Sequence, residues 1–190
     1  MRSFATVGGW TMASRVLGFV RDVLMARYLG AGAVSDAFFV AFALPNMFRR
    51  FFAEGAFNMA FVPMFAKKYE AGENPQDFAR DALWGMATVL CVFTVLGMMA
   101  MPWLVWAMAA GFAGDERFGL AVLFGNIAFP YILFISLTAL LSGVLNATGR
   151  FMATAAVPIL MNALFIVAMV LADSAGWPMG LTLAWTVPLS

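Results

Sequence analysis

Apolar and charged positions divide the sequence into two unlike parts. From residue 82 onward, ion-free windows run through Ala82–Gly114, Phe118–Gly149, Phe151–Ala172 and Ser174–Ser190, separated by Asp115, Glu116, Arg117, Arg150 and Asp173. A helix needs ~20 consecutive apolar residues to cross a bilayer core. The windows therefore predict spans at about 83–108, 120–145, 151–172 and 177–190, with Gly111, Gly114 and the ions at 115–117 marking a turn. The last window stops at Ser190 without a basic flank, so the final span reads as cut short.

Residues 1–66 are as apolar but are punctuated by Arg15, Arg21, Asp22, Arg27, Asp36, Arg49, Arg50 and Glu54. Two arrangements compete: amphipathic helices lying on the membrane surface, or spans that carry buried charges. Leu24, Phe38, Phe39, Val40, Phe42, Phe48, Phe51, Phe52, Phe57 and Phe61 cover most sides of the helices rather than one stripe, which favours insertion. Spans are expected at about 3–28 and 35–66, with a break near Gly30 and Gly32. Thr11-Met12-Ala13 is only weakly like a signal-peptide cleavage site, and the first helix is expected to stay. The reading is an all-α polytopic membrane bundle of six transmembrane helices, with a polar linker at 67–81.

Composition sharpens the picture. The chain is 64% hydrophobic and 11% charged, against about 25% charged in soluble domains, which removes a water-soluble enzyme. It has no histidine, so Ser-His-Asp and Cys-His nucleophiles, histidine-ligated zinc and histidine proton relays are excluded. Cys91 is the single cysteine and sits in an apolar run, so no internal disulfide or metal-ligand spacing exists. A net charge of +1 argues against nucleic acid as a partner. The methionines and phenylalanine-rich faces read as packing and lipid contact, with no cofactor implied.

Basic residues in short loops orient a membrane protein. With the N-terminus in the cytoplasm, Arg2, Lys67, Lys68, Arg80 and Arg150 lie inside and Arg117 alone lies outside. That orientation also puts the 67–81 linker in the cytoplasm.

The ions at membrane depth are the informative feature. An arginine at a helix centre costs ~2.5–3.5 kcal/mol on insertion scales, so Arg15, Arg21, Arg49 and Arg50 represent roughly 10–14 kcal/mol if they face lipid unpaired. Arg50 and Glu54 have i,i+4 spacing for a pair on one helix. At about 100° per residue, Asp22 falls about 20° from Arg15 while Arg21 points about 120° away. Interface snorkelling and internal ion pairs that fix helix packing suit Arg27 and Asp36 near the first turn. Arg49 and Arg50 fall at the midpoint of a helix spanning Asp36 to Phe65, too deep for easy snorkelling. A water-filled cavity is the less costly setting, and several guanidiniums facing it make an anion site whose bidentate forks suit phosphate oxygens.

Three segments then match a known signature: Ser14-Arg15-Val16-Leu17-Gly18-Phe19-Val20-Arg21-Asp22, Ser35-Asp36-Ala37-Phe38-Phe39-Val40-Ala41-Phe42, and Leu44-Pro45-Asn46-Met47-Phe48-Arg49-Arg50-Phe51-Phe52-Ala53-Glu54-Gly55-Ala56-Phe57. They resemble the N-terminal motifs of the MurJ/MviN family, lipid II flippases of the multidrug/oligosaccharidyl-lipid/polysaccharide exporter superfamily. Phe61-Val62-Pro63, Phe129-Pro130-Tyr131-Ile132 and Asn162 after Pro158 continue the match in order.

The resemblance implies a transporter of two six-helix lobes facing a central cavity, followed by two helices forming a lipid-tail groove, in the bacterial cytoplasmic (inner) membrane. This chain is similar to the first lobe. Carried over by position, contact with the diphosphate of an undecaprenyl-linked peptidoglycan precursor falls on Arg15, Arg21 and Arg49. Asp22, Asp36, Asn46, Arg50 and Glu54 become neighbouring polar positions. The implied partners are that precursor, membrane lipids and the second lobe, which carries the family's remaining cavity arginine. Alternating access without covalent chemistry is the expected mechanism. Other expectations are an exporter of another lipid-linked saccharide or a drug, and a non-transporting scaffold for cell-wall synthesis.

Two further sets of residues are marked. Pro45, Pro63, Pro102, Pro130, Pro158 and Pro188 lie in or at the ends of spans and are expected to bend them. Asn126, Ser136, Thr138, Ser142, Asn146 and Asn162 are read as interhelical hydrogen-bonding groups ahead of cavity lining.

Overall fold

The computed structural model describes residues 2–52 and 56–190. These form α1 (Arg2–Leu29), α2 (Ala33–Phe52), α3 (Ala56–Ala71), α4 (Pro75–Met99), α5 (Met101–Met108), a 3-10 turn at Ala110–Phe112, α6 (Glu116–Ala128), α7 (Tyr131–Ala147), α8 (Phe151–Ala175) and α9 (Met179–Leu189). No strand occurs among the described residues. The all-α expectation holds, and the chain is a polytopic membrane bundle. Pro75–Met99, Glu116–Ala147 and Thr154–Ala175 are each long and apolar enough to cross a bilayer. Neither α1 nor α2 is among them, and these two helices carry Arg15, Arg21, Asp22, Asp36, Arg49 and Arg50.

Helix ends differ from the charge-free windows in an instructive way. The 35–66 span is described as α2 and α3, with 53–55 outside the described residues. The 67–81 stretch is mostly helical: α3 continues to Ala71 and α4 starts at Pro75. Proline at the first helical position is compatible with a helix start because its missing N–H would have no partner there. The 83–108 span is divided at Ala100, where Pro102 enters the first turn of α5. The 120–145 span is divided at Phe129, where Pro130 caps α7. By contrast Pro45, Pro63, Pro158 and Pro188 lie inside α2, α3, α8 and α9 without ending them. Gly176 closes α8 with φ 67°, a left-handed conformation that glycine adopts at low cost.

The largest contacts pair α1 with α8 and α2 with α6, while α7 lies against α3 and α4 and α9 against α6 and α8. Phe38, Leu44, Leu90, Met101, Phe129, Leu140, Phe165 and Leu183 are fully buried. An aromatic cluster ties α2 to α4 and to the corner between α6 and α7. Phe93 meets Phe48 at 5.1 Å and Phe52 at 5.0 Å between ring centroids, and stacks with Phe129 at 6.0 Å. Outside, the bundle is as apolar as inside: Phe19, Phe51, Trp103 and Leu189 are each more than 70% exposed. Such a surface suits lipid, where association depends on close van der Waals packing rather than on expelling water.

Close packing makes one glycine a stability determinant. Gly97 of α4 is buried, and a Cβ there would lie on the Cε1 and Cζ atoms of Phe129. Gly97→Ala is expected to destabilise the complete protein by about 1–3 kcal/mol, the usual cost of overpacking. A thermal melt in detergent checks this, and an unchanged midpoint would contradict the packing described.

Candidate functional site

Arg21 joins two helices of the bundle. It sits on α1 with its side chain 21% exposed, and its Nε and Nη2 both donate to Oδ1 of Asp22, at 3.0 and 2.8 Å. Its Nη1 donates to Oδ1 of Asn162 on α8 at 2.9 Å. The guanidinium also lies 5.9 Å from the centroid of the buried Phe165 ring. Phe165 in turn meets Phe42 of α2 edge-on at 6.4 Å. A guanidinium over an aromatic face gains from the ring quadrupole, more so where water is scarce.

Asn162 is 5% exposed. Its Nδ2 donates to the Ser14 carbonyl at 3.2 Å while its Oδ1 accepts from Arg21. The interhelical bonding expected of Asn162 is therefore present and reaches an ion, and Asn146 accepts from Thr154 of α8. Asn126 Oδ1 and Ser136 Oγ, by contrast, are buried without a hydrogen-bond partner among the described residues.

Arg49 lies in the last described turn of α2 and is half-buried. Tyr131, at the start of α7, is buried and donates its hydroxyl to the Met161 sulfur at 3.9 Å. Three helices, α1, α7 and α8, thus bring Arg21, Tyr131 and Asn162 into one region, Tyr131 meeting α8 at the residue before Asn162.

The other expected site residues are placed differently. Arg15 and Asp22 are exposed and share a face of α1, about 10 Å apart along the axis at 1.5 Å per residue. Arg50 is exposed, and Asn46 bonds locally to the Phe42 carbonyl at 3.2 Å. Glu54, and with it the proposed pair with Arg50, lies outside the described residues.

Asp36 belongs to another cluster. It sits in the first turn of α2 and meets Arg117 Nη1 at 3.3 Å, the pairing expected of an ion near a turn rather than a neighbour of Arg49. Arg117 is also held by Asp115 at 2.6 Å and lies 4.7 Å over the Phe112 ring. Asp115 caps α6 by accepting from the Arg117 backbone N–H. The side-chain hydrogen bond from Arg117, then the backbone one, holds the Asp115 carboxyl below its ordinary value. This cluster ties the start of α2 to the start of α6.

Arg21 is not left wholly to a cavity, because Asp22 next to it holds one edge of its fork. Asn162 and Tyr131 are legible in the sequence as polar residues in otherwise apolar runs, Tyr131 directly after Pro130 and Asn162 four residues after Pro158, but not as partners of this site. Among the described residues no cluster of His, Cys, Asp and Glu has the makings of a metal site.

A bundle with apolar outer faces and arginines on its first two helices defines a multi-span helical membrane protein. The family model described as "Lipid II flippase MurJ" matches residues 25–189, and the chain belongs to that family. It is 46% identical over 189 residues to a probable lipid II flippase MurJ of Rhizobium tropici, covering 97% of this chain and 35% of that protein. It is also 46% identical over 172 residues to the lipid II flippase MurJ of Burkholderia cenocepacia, covering 89% and 33%. A solved structure of lipid II flippase MurJ in an inward closed conformation superposes with a TM-score of 0.79 at 29% identity, covering 97% of this chain and 39% of that one. The chain thus spans about a third of the length of the curated relatives it matches.

Proposed function

We propose that this chain is the first lobe of a transporter that flips an undecaprenyl-diphosphate-linked peptidoglycan precursor, lipid II, across the bacterial cytoplasmic membrane. Transport proceeds by alternating access, with no covalent step. Six spans make up the lobe, the N-terminus and the α3–α4 turn face the cytoplasm, and a second lobe completes the cavity. Arg15, Arg21 and Arg49 contact the diphosphate, with Asp22, Asn46, Arg50 and Glu54 around them. Asp36 sits at the far end of α2 and serves the Arg117 cluster instead.

The observation that carries this reading is the part-buried guanidinium of Arg21, held to α8 by Asn162 with its Nε/Nη2 edge on the exposed carboxylate of Asp22. Cations gathered at membrane depth are costly unless water or an anion meets them, and a planar fork holds phosphate oxygens two at a time. Family membership supports the substrate class. A scaffold would need no such arginines, and a cationic cargo would be repelled by them.

Cysteine substitution at positions 15, 21 and 49 in a Cys91-free complete transporter tests the cavity. Bulky charged thiol reagents are expected to react at all three, and substrate to slow them. Reporters at Glu73, Gly114 and Gly176 are expected to react from inside only at 73. Inert cysteines at 15, 21 and 49 beside reactive apolar neighbours would refute the cavity, and outside labelling at 73 would refute the orientation.

A further inference from the structure

We infer that Asn162 is the positioning residue for Arg21, fixing its guanidinium so that the Nε/Nη2 edge is presented to a phosphate group. The inference rests on the reading of Arg21 as a diphosphate contact. An amide with two distinct ends has its direction set by whichever end is committed elsewhere. Here Nδ2 is committed to the Ser14 carbonyl at 3.2 Å, which turns Oδ1 toward Arg21 Nη1 at 2.9 Å. Ser14 and Arg21 are about two helical turns apart on one face of α1, so Asn162 straddles the intervening turn. Gly18 lies under it, where a Cβ would meet Nδ2 at 3.6 Å, an ordinary van der Waals contact.

The rest of the guanidinium shows what this hold achieves. The guanidinium carbon lies over the ring of Phe165, one turn after Asn162 on α8, at 5.9 Å from its centroid. With Nη1 tethered to α8, the edge left to other partners is the Nε/Nη2 pair. Both of those groups now donate to a single oxygen of Asp22, whose side chain is 63% exposed. That carboxylate oxygen occupies the place a phosphate oxygen would take. A neutral amide suits the tether, because it accepts the hydrogen bond without cancelling the charge that attracts the anion. A carboxylate at 162 would hold Arg21 as firmly and weaken its pull on phosphate.

The test measures undecaprenyl diphosphate binding to the complete transporter in detergent, alongside its thermal midpoint. Asn162→Ala is expected to weaken binding about tenfold, the worth of one hydrogen bond to a charged group. In an Arg21→Ala background the same change is expected to cost nothing further. Asn162→Asp, which keeps shape and acceptor, is expected to weaken binding at least as much in folded protein, and it decides the question if the alanine variant fails to fold. Normal binding by folded Asn162→Ala or Asn162→Asp would overturn the inference. So would an equal loss with and without Arg21, the mark of a merely structural amide. Wild-type affinity in Arg21→Ala itself would instead refute the diphosphate reading and this inference with it.

Discussion

Lysine in place of Arg21 or Arg49 is expected to cut precursor flipping by the complete transporter at least about tenfold while leaving the protein folded. Lysine keeps the positive charge but is a point donor, whereas the guanidinium offers two parallel N–H groups to a phosphate. At Arg21 the loss is compounded, because a lysine ammonium has no second edge to turn outward once Asn162 is engaged. Bidentate, charge-assisted bonds are roughly twice as strong as neutral ones, and a hydrogen bond to a charged group is worth ~1.5–3 kcal/mol. The opposing account makes these arginines structural counter-ions. In that case lysine would restore flipping, and neutralising Asp22 would destabilise the fold by several kcal/mol, on the order of 3–5 for a truly buried pair. The exposure of Asp22 argues against that account. Flipping assays run beside thermal melts separate the two.

Phe129→Ala is expected to destabilise the lobe by about 3 kcal/mol, at the lower end for a buried aromatic. Phe129 is completely buried at the corner between α6 and α7, between Phe48 and Phe93 and over Gly97. Because lipid is itself apolar, the cost comes mainly from lost dispersion contacts and the void left behind. The same void should admit a Cβ at residue 97, so Gly97→Ala is expected to cost less in the Phe129→Ala background than alone. Additive losses in detergent melts would contradict the packing between α4 and the α6–α7 corner.

How much of this was legible in the sequence depends on what each signal measures. Ion-free windows locate apolar helices well, since α8 over Phe151–Ala175 nearly coincides with its window. They mark where apolarity ends rather than where helix ends. The polar first turns of α4 therefore read as linker, although Arg80 pairs with Asp77 at i,i+3 spacing within the helix. Prolines predicted bends without saying which would divide a helix: Pro102 and Pro130 do, whereas Pro45 and Pro158 do not.

The arginines were legible because arginine at membrane depth is costly and so rarely accidental. Their partners were not. Asp22 adjoins Arg21 in the chain, but helical geometry points the two side chains apart, and only the reach of the long arginine side chain brings them together. Asn162 is 141 residues away in sequence, and no periodicity connects them. Asp36 was grouped with the arginines by motif, yet it pairs with Arg117 across α2 and α6. Tertiary pairing between distant helices is the part that a single sequence does not spell out.

Discrimination between undecaprenyl diphosphate and undecaprenyl monophosphate by the complete transporter tests the central claim most directly. If Arg21 and Arg49 hold a diphosphate, the wild-type protein should prefer the diphosphate by at least about tenfold, and Arg21→Lys should erase most of that preference without lowering the thermal midpoint. Equal affinity for the two lipids, or a preference that survives in Arg21→Lys, would contradict it.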